Sequence, residues 1–401
     1  MPNVAEIHAR QPYDWSHREP WLELDMPIEE FRRRLHGIQT ELDRRNWDGL
    51  LIYGDASNNS DLRYVTGLVL WWGSAVALIG RHGEPIVVTN GLSHGEPMHS
   101  NVQTTWVQEL RAIGSGNPAD LVHSVISAGA ERNVRKGSLA VTDFGNLPTV
   151  VTEAIRMDWP GMTIHPGDEL LKRLRRTKSP HEISLIRKLA HLTSAGMNAA
   201  MSAAVVGASE SDIAAAAHRA CVAGGADRML FGCFVGTGQR SFMKNIAPRP
   251  DRRVKEGELV FIDLGCKFHG YQSDMSRDVV PGGASSETKA MLAACLEAED
   301  AGLRHIRPGV SARSVVEVMR GTIKRRGFSD YDWSICHGFG MDLVEAPSFE
   351  PNSTDVLEAG MCFYIEPMIV PSHIGSVCIE DMVLVMPDGC ETLTSSPRTL
   401  W

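Results

Sequence analysis

Residues Leu259–Val280 read LVFIDLGCKFHGYQSDMSRDVV. Two apolar runs flank a turn that contains Gly270, which is the signature of a β-hairpin. A turn centred between Phe268 and His269 sets Asp263 opposite Asp274, and opposed residues share one face with Cβ atoms about 5 Å apart. Two carboxylates so placed in a core repel, and one of them must keep its proton. A divalent cation between them removes the conflict. The arrangement recurs in Cys362–Val385, CFYIEPMIVPSHIGSVCIEDMVLV. A hairpin turning near His373 makes Glu366 and Glu380 opposite partners. An acid inside YIEP or CIED is costly to bury unless it is paired or ligates a metal. A solvated face produces one such pair readily; two independent pairs among Val, Ile, Leu and Phe point to a shared ion site.

A fifth donor lies between the hairpins. Trp333–Pro347 reads WSICHGFGMDLVEAP and places His337 before a Gly-x-Gly. A histidine beside glycines is ordinarily structural, so its weight comes from the company it keeps. Four carboxylates and one imidazole form a hard, oxygen-rich set that suits two divalent first-row ions and balances their charge. Manganese is the first expectation, with zinc, cobalt or iron as alternatives.

The rest of the chain supplies the setting. Its 401 residues exceed what one core usually organises, so two domains are expected. Hydrophobic residues make up 43% and charged residues 22%, as in an ordinary globular enzyme, and the net charge of -9 argues against nucleic-acid binding. No run of 18 apolar residues predicts a membrane helix. The start, MPNVAEIHARQPYDW, carries charges where an export signal needs an apolar core. Eight cysteines (221, 233, 266, 295, 336, 362, 378, 390) fall in the second half without a CxxC pair. Such scattered thiols read as reduced core residues, and the expected compartment is the cytoplasm.

Along the chain, Ile28, Phe31, Leu35, Ile38 and Leu42 form one helix face. Leu50–Tyr53, Ala75–Ile79, Ile86–Val88 and Ser138–Thr142 read as strands, alternating with helices near Ala119–Gly129 and Thr149–Met157. An α/β N-terminal domain over residues 1–170 follows. The basic LLKRLRRTKSP reads as a linker, and the second domain spans 171–401. Helices begin at Pro180 and after Ser209, and others are expected near Glu287–Ile306 and Ala312–Arg325. This domain is expected to be α+β, with antiparallel hairpins.

These residues resemble the creatinase/prolidase/aminopeptidase P family, whose catalytic domain has the "pita-bread" fold, an antiparallel sheet covered by helices. The resemblance rests on Ile262-Asp263-Leu264-Gly265, Gly270-Tyr271-Gln272-Ser273-Asp274, His337-Gly338-Phe339-Gly340, Glu366-Pro367 and Glu380-Asp381, in that order, with KSPHEI at Lys178–Ile183. It covers nearly the whole chain. The resemblance implies that Asp263 chelates one metal, that His337 and Glu366 hold the other, and that Asp274 and Glu380 bridge both. It further implies a bridging hydroxide as nucleophile, Glu366 as proton carrier, and a homodimer. In such a dimer Trp71 and Trp72 are candidates for a substrate-pocket wall, with a core position as their ordinary alternative.

Three departures bear on substrate. Where related peptidases carry a second histidine after the ligand histidine, this chain has Val344. Where they carry one before the first aspartate, it reads Lys244-Asn245-Ile246, and Cys378 replaces an arginine before the last glutamate. Asn245 is then the candidate oxyanion donor. Arg240 and Lys244, in GTGQRSFMKN, are candidates for binding a substrate carboxylate or are solvated surface charges. The expected function is a dinuclear metal-dependent hydrolase of a C–N bond in a short peptide or small molecule, with Xaa-Pro cleavage as one form. The alternatives are a specialised hydrolase or lyase acting on a creatine-, ectoine- or dimethylsulfoniopropionate-like substrate, and a non-catalytic binding homologue.

Overall fold

The computed structural model describes residues 22–90, 92–93, 96–97, 103–130, 134 and 137–398; the aromatic opening with Trp15 and Trp21 lies outside them. The chain divides into two compact units, Met1–Leu174 and Arg175–Trp401.

In the first unit the apolar face of the helix Ile28–Arg45 buries Phe31, Leu35, Ile38 and Leu42. The short apolar runs become a six-stranded mixed sheet, ordered Glu109–Ala112, Ile86–Thr89, Ser74–Gly80, Gly49–Asp55, Gly137–Val141, Met162–Pro166. The inner strands Ser74–Gly80 and Ile86–Thr89 are buried throughout, and Gly49–Asp55 and Gly137–Val141 over most of their length. The helices Pro118–Gly129 and Thr149–Asp158 pack their leucines and valines into the same core. The stretch expected to be a linker is instead part of a helix, Asp168–Arg176. Leu170 and Leu171 are fully buried, so its apolar face anchors a segment whose charges suggested exposure.

The second unit begins with a reciprocal cap. Ser179 Oγ accepts from Glu182 N (3.2 Å), and Glu182 Oε2 accepts from Ser179 N (2.9 Å), which starts the helix Pro180–Ala203 at its proline. Glu182 Oε1 also accepts from the Tyr271 hydroxyl at 2.8 Å, tying the helix start to the first hairpin. A second capping box, Ser209 with Asp212, opens Glu210–Ala223. The strand Val260–Phe268 runs antiparallel between Arg228–Thr237 and the returning Tyr271–Gln272 and Met275–Val279. A second antiparallel sheet orders Ile335–Gly338, Cys362–Glu366, Asp381–Met386 and Gly389–Thr392. The helices Ser286–His305 and Ala312–Arg325 cover it, with Cys295, Val315 and Met319 packed among Phe363, Ile365 and Val383. The unit is thus antiparallel sheet covered by helices.

The first hairpin corrects the expected register. Phe268 pairs with Tyr271 and Lys267 with Gln272. His269 and Gly270, both at positive φ (50° and 84°), form the two-residue turn. Asp263 therefore faces Ser276, not Asp274. Because the slip is two residues, Asp274 stays on the same face, diagonal to Asp263. In the second hairpin Met368 pairs with Cys378 and Ile365 with Asp381, a register that sets Glu366 across from Glu380.

Candidate metal centre

Both hairpins deliver their acids to one cavity of about 710 Å³, lined by Asp263, Asp274, His337, Glu366 and Glu380 together with Lys244 and Asn245. Gly265 makes the first approach possible, since a Cβ there would lie 2.1 Å from the Ser273 carbonyl oxygen. Donor atoms of Asp274, His337 and Glu380 lie within 4.8 Å of one another. His337 Nε2 is 3.9 Å from Glu380 Oε1, and Ser276 Oγ donates to Glu380 Oε2 at 3.1 Å. Asp274, Glu366 and Glu380 are buried.

Burial dominates the electrostatics. It raises Glu366 from its ordinary 4.5 to about 7, Lys244 pulling the other way and Asp263 adding to the rise. It lifts Asp263 from 3.8 to about 6. Asp274 and Glu380 stand well above the usual carboxylate range, burial coming first and the neighbouring carboxylates after it. Burial and mutual repulsion thus favour the protonated carboxyls where no cation balances them. Burial also lowers His337 to about 4, so its imidazole is neutral. Its Nδ1 pairs with the Leu343 carbonyl at 3.1 Å, which leaves the Nε2 lone pair facing the acids.

The donor set fits divalent ions on a further observation. Asp263 Oδ1 and Glu380 Oε1 are buried without a hydrogen-bond partner, and a buried carboxylate oxygen left bare is costly. Two such atoms within one cluster of four acids are what ligands without their cation look like.

The other site candidates divide. Lys244 lines the cavity and places Nζ 3.7 Å from Glu366 Oε1. Asn245 is exposed at the same cavity. Arg240 does not belong there. Its Nη1 pairs with buried Glu210 (2.5 Å) and the Val235 carbonyl (3.2 Å), and its Nη2 donates to the Ala247 carbonyl (2.6 Å). It braces its own loop rather than awaiting a substrate. Trp71 and Trp72 are 65% and 49% exposed on the N-terminal unit, which excludes the core position.

Some supporting residues were missed. Lys178 Nζ donates to Glu345 Oε1 at 2.8 Å, and Arg175 pairs with the same carboxylate. Glu345 N in turn donates to the Gly338 carbonyl at 2.8 Å, so this brace fixes the loop that carries Leu343, the partner of His337. Gly338 admits the loop, since a Cβ there would meet the Glu345 carbonyl oxygen at 2.4 Å. The lysine of KSPHEI was the available signal. Arg313, Val316, Glu317 and Arg320 also line the cavity; their three- and four-residue spacing, one helix face, was the available signal there.

Comparison with known proteins agrees with this geometry. The model of metallopeptidase family M24 matches residues 184–387, half of the chain. The Xaa-Pro dipeptidase of Pyrococcus furiosus is 32% identical over 234 residues, which is 58% of this chain and 67% of that protein. The uncharacterized peptidase YqhT of Bacillus subtilis is 29% identical over 359 residues, 88% of this chain and 95% of that protein. The crystal structure of the prolidase from Pyrococcus horikoshii superposes with a TM-score of 0.79 at 24% identity, covering 91% of this chain and 99% of that one, a likeness of fold. The chain therefore belongs to metallopeptidase family M24 and is a metal-dependent hydrolase with the pita-bread fold.

Proposed function

We propose that this hydrolase cleaves the C–N bond of a short peptide or peptide-like amide, Xaa-Pro bonds foremost, with two divalent ions at the five-donor site. The observation that carries the reading is the meeting of four acids and a neutral imidazole in one cavity, with two acid oxygens buried and unpartnered. Asp263 would hold one ion, His337 and Glu366 the other, and Asp274 and Glu380 both. Such ions, manganese first, supply a Lewis acid for the scissile carbonyl and a water of lowered pKa.

The chain's own groups do the rest. Glu366 accepts the proton released when water attacks and returns it to the departing nitrogen. Lys244, beside Glu366, offsets negative charge in the cluster. Asn245 offers an amide N–H to the oxygen that gains charge. The same reading has the chain acting as a homodimer in the cytoplasm. Eight free cysteines suit a reducing compartment.

A second reading has one specific observation behind it. Among the described residues His337 is the only histidine lining the cavity, and Val344 stands at its wall, 68% exposed. A cavity with one imidazole favours a specialised small amide over general peptide cleavage. The test is turnover of Xaa-Pro dipeptides, other dipeptides and small amides by manganese-loaded protein, with Glu366→Gln as control. Xaa-Pro turnover lost in Glu366→Gln supports the first reading. Turnover confined to small amides supports the second, and turnover of none of them contradicts both.

A further inference from the structure

Among the described residues three cations line the cavity, and their partners differ. Lys244 lies beside Glu366. Arg313 Nε is 3.7 Å from Glu317 Oε1, and its Nη1 donates to the Pro351 carbonyl at 3.3 Å. Arg320 Nε and Nη2 both donate to the Ser334 carbonyl, at 3.2 and 3.0 Å. Among the described residues Arg320 pairs with no carboxylate. A guanidinium keeps its charge at any physiological pH and presents donors in a fork suited to a carboxylate. Two of its nitrogens are held by backbone, so its orientation is set before a ligand arrives.

Its position relative to the metal centre follows from the ladder. Ser334 precedes Ile335, and Ile335 pairs directly with Glu366. Neighbouring strands lie about 4.8 Å apart and successive residues about 3.4 Å. The carbonyl that anchors Arg320 is thus about one strand and one residue away from the backbone of a metal ligand. An extended chain covers at most about 3.6 Å per residue. A substrate that spans this backbone offset, with its scissile carbonyl at the acids and an anion at Arg320, would need one or two residues between them. Val316, Ile335 and Phe349 line the same cavity and offer apolar surface to what lies between.

We infer that Arg320 is a specificity-determining residue that binds the free carboxylate of a substrate ending one or two residues beyond the scissile bond. The substrate class is then dipeptides, short peptides and N-acyl amino acids with an apolar residue after the bond, and their amides are poor ligands. This deepens the peptidase reading and rests on it for the location of the scissile bond.

The test is calorimetric binding of N-acetyl-L-proline and N-acetyl-L-prolinamide to intact, manganese-loaded protein, which does not depend on turnover. The parent protein should prefer the acid at least tenfold. Arg320→Gln should bind acid and amide alike, with an unchanged melting temperature because the side chain is exposed. Arg320→Lys should keep part of the preference, and Arg313→Gln all of it. Overturning results are a parent protein without preference for the acid, Arg320→Gln retaining it, or Arg313→Gln losing it. Protein that shows the Arg320-dependent preference but cleaves no dipeptide supports the carboxylate site and contradicts the peptidase reading.

Discussion

Glu366→Gln should gain stability relative to the parent as pH rises in the metal-free protein, although it removes a residue placed at the centre of the chemistry. Burial lifts the Glu366 carboxyl from 4.5 to about 7. At 1.36 kcal/mol per pH unit this amounts to about 3 kcal/mol of proton-linked free energy. The sign follows from the raised value. The folded state holds this proton more tightly than the unfolded chain, so the contribution is complete below pH 4.5 and is lost as pH rises through about 7. Glutamine does not titrate and escapes the loss. In chelator-treated protein, the stability of Glu366→Gln relative to the parent should rise by about 3 kcal/mol between pH 4.5 and 8. For a domain of about 150–250 residues that is roughly 6–12 °C in melting temperature. Altered contacts with Lys244 and Cys378 add a pH-independent offset that leaves this slope unchanged. With manganese restored the variant should be the less stable of the two, because it has lost a ligand. The assay is thermal unfolding across pH, with and without chelator. A pH-independent difference in the metal-free proteins would refute the reasoning.

Two further perturbations probe the surroundings of the site. Lys178→Met leaves Glu345 buried with one cation fewer; both side chains are nearly inaccessible, at 1% and 7%. It should cost about 3 kcal/mol in urea unfolding and speed loss of metal to a chelator by loosening the carbonyl that orients His337; unchanged values in both assays would show that the brace is idle. Val344→His places an imidazole at the cavity wall without disturbing the core, since the position is 68% exposed. It should raise kcat/KM on Xaa-Pro dipeptides about tenfold or more if a second imidazole is what the site lacks, and no gain would leave Val344 as wall alone.

The register of the second hairpin was legible because Glu366 and Glu380 sit in apolar runs that fold back near His373, although its pairing is divided between two sheets. The sequence carried the first hairpin with a slip of two residues. The left-handed backbone of His269 and Gly270 shifts the turn by one position, and a histidine there gives no local warning. The even slip cost nothing chemically, since side chains alternate with period two. The short parallel edge strands Glu109–Ala112 and Met162–Pro166 escaped notice. They are only partly buried, so they lack the apolar runs that marked the inner strands. Arg240 was misjudged for a different reason. Its counter-charge, Glu210, lies 30 residues away in sequence, and nothing local announces the pair. Arg320 went unread because one exposed arginine on a helix is ordinary until the strand beside it is known.

The central claim, that four acids and His337 form a two-ion site, is tested most directly by elemental mass spectrometry of protein purified without added metal or chelator. The expected result is about two first-row divalent ions per chain, reduced in Asp274→Asn. Protein that carries no metal and takes none up on addition would contradict the claim.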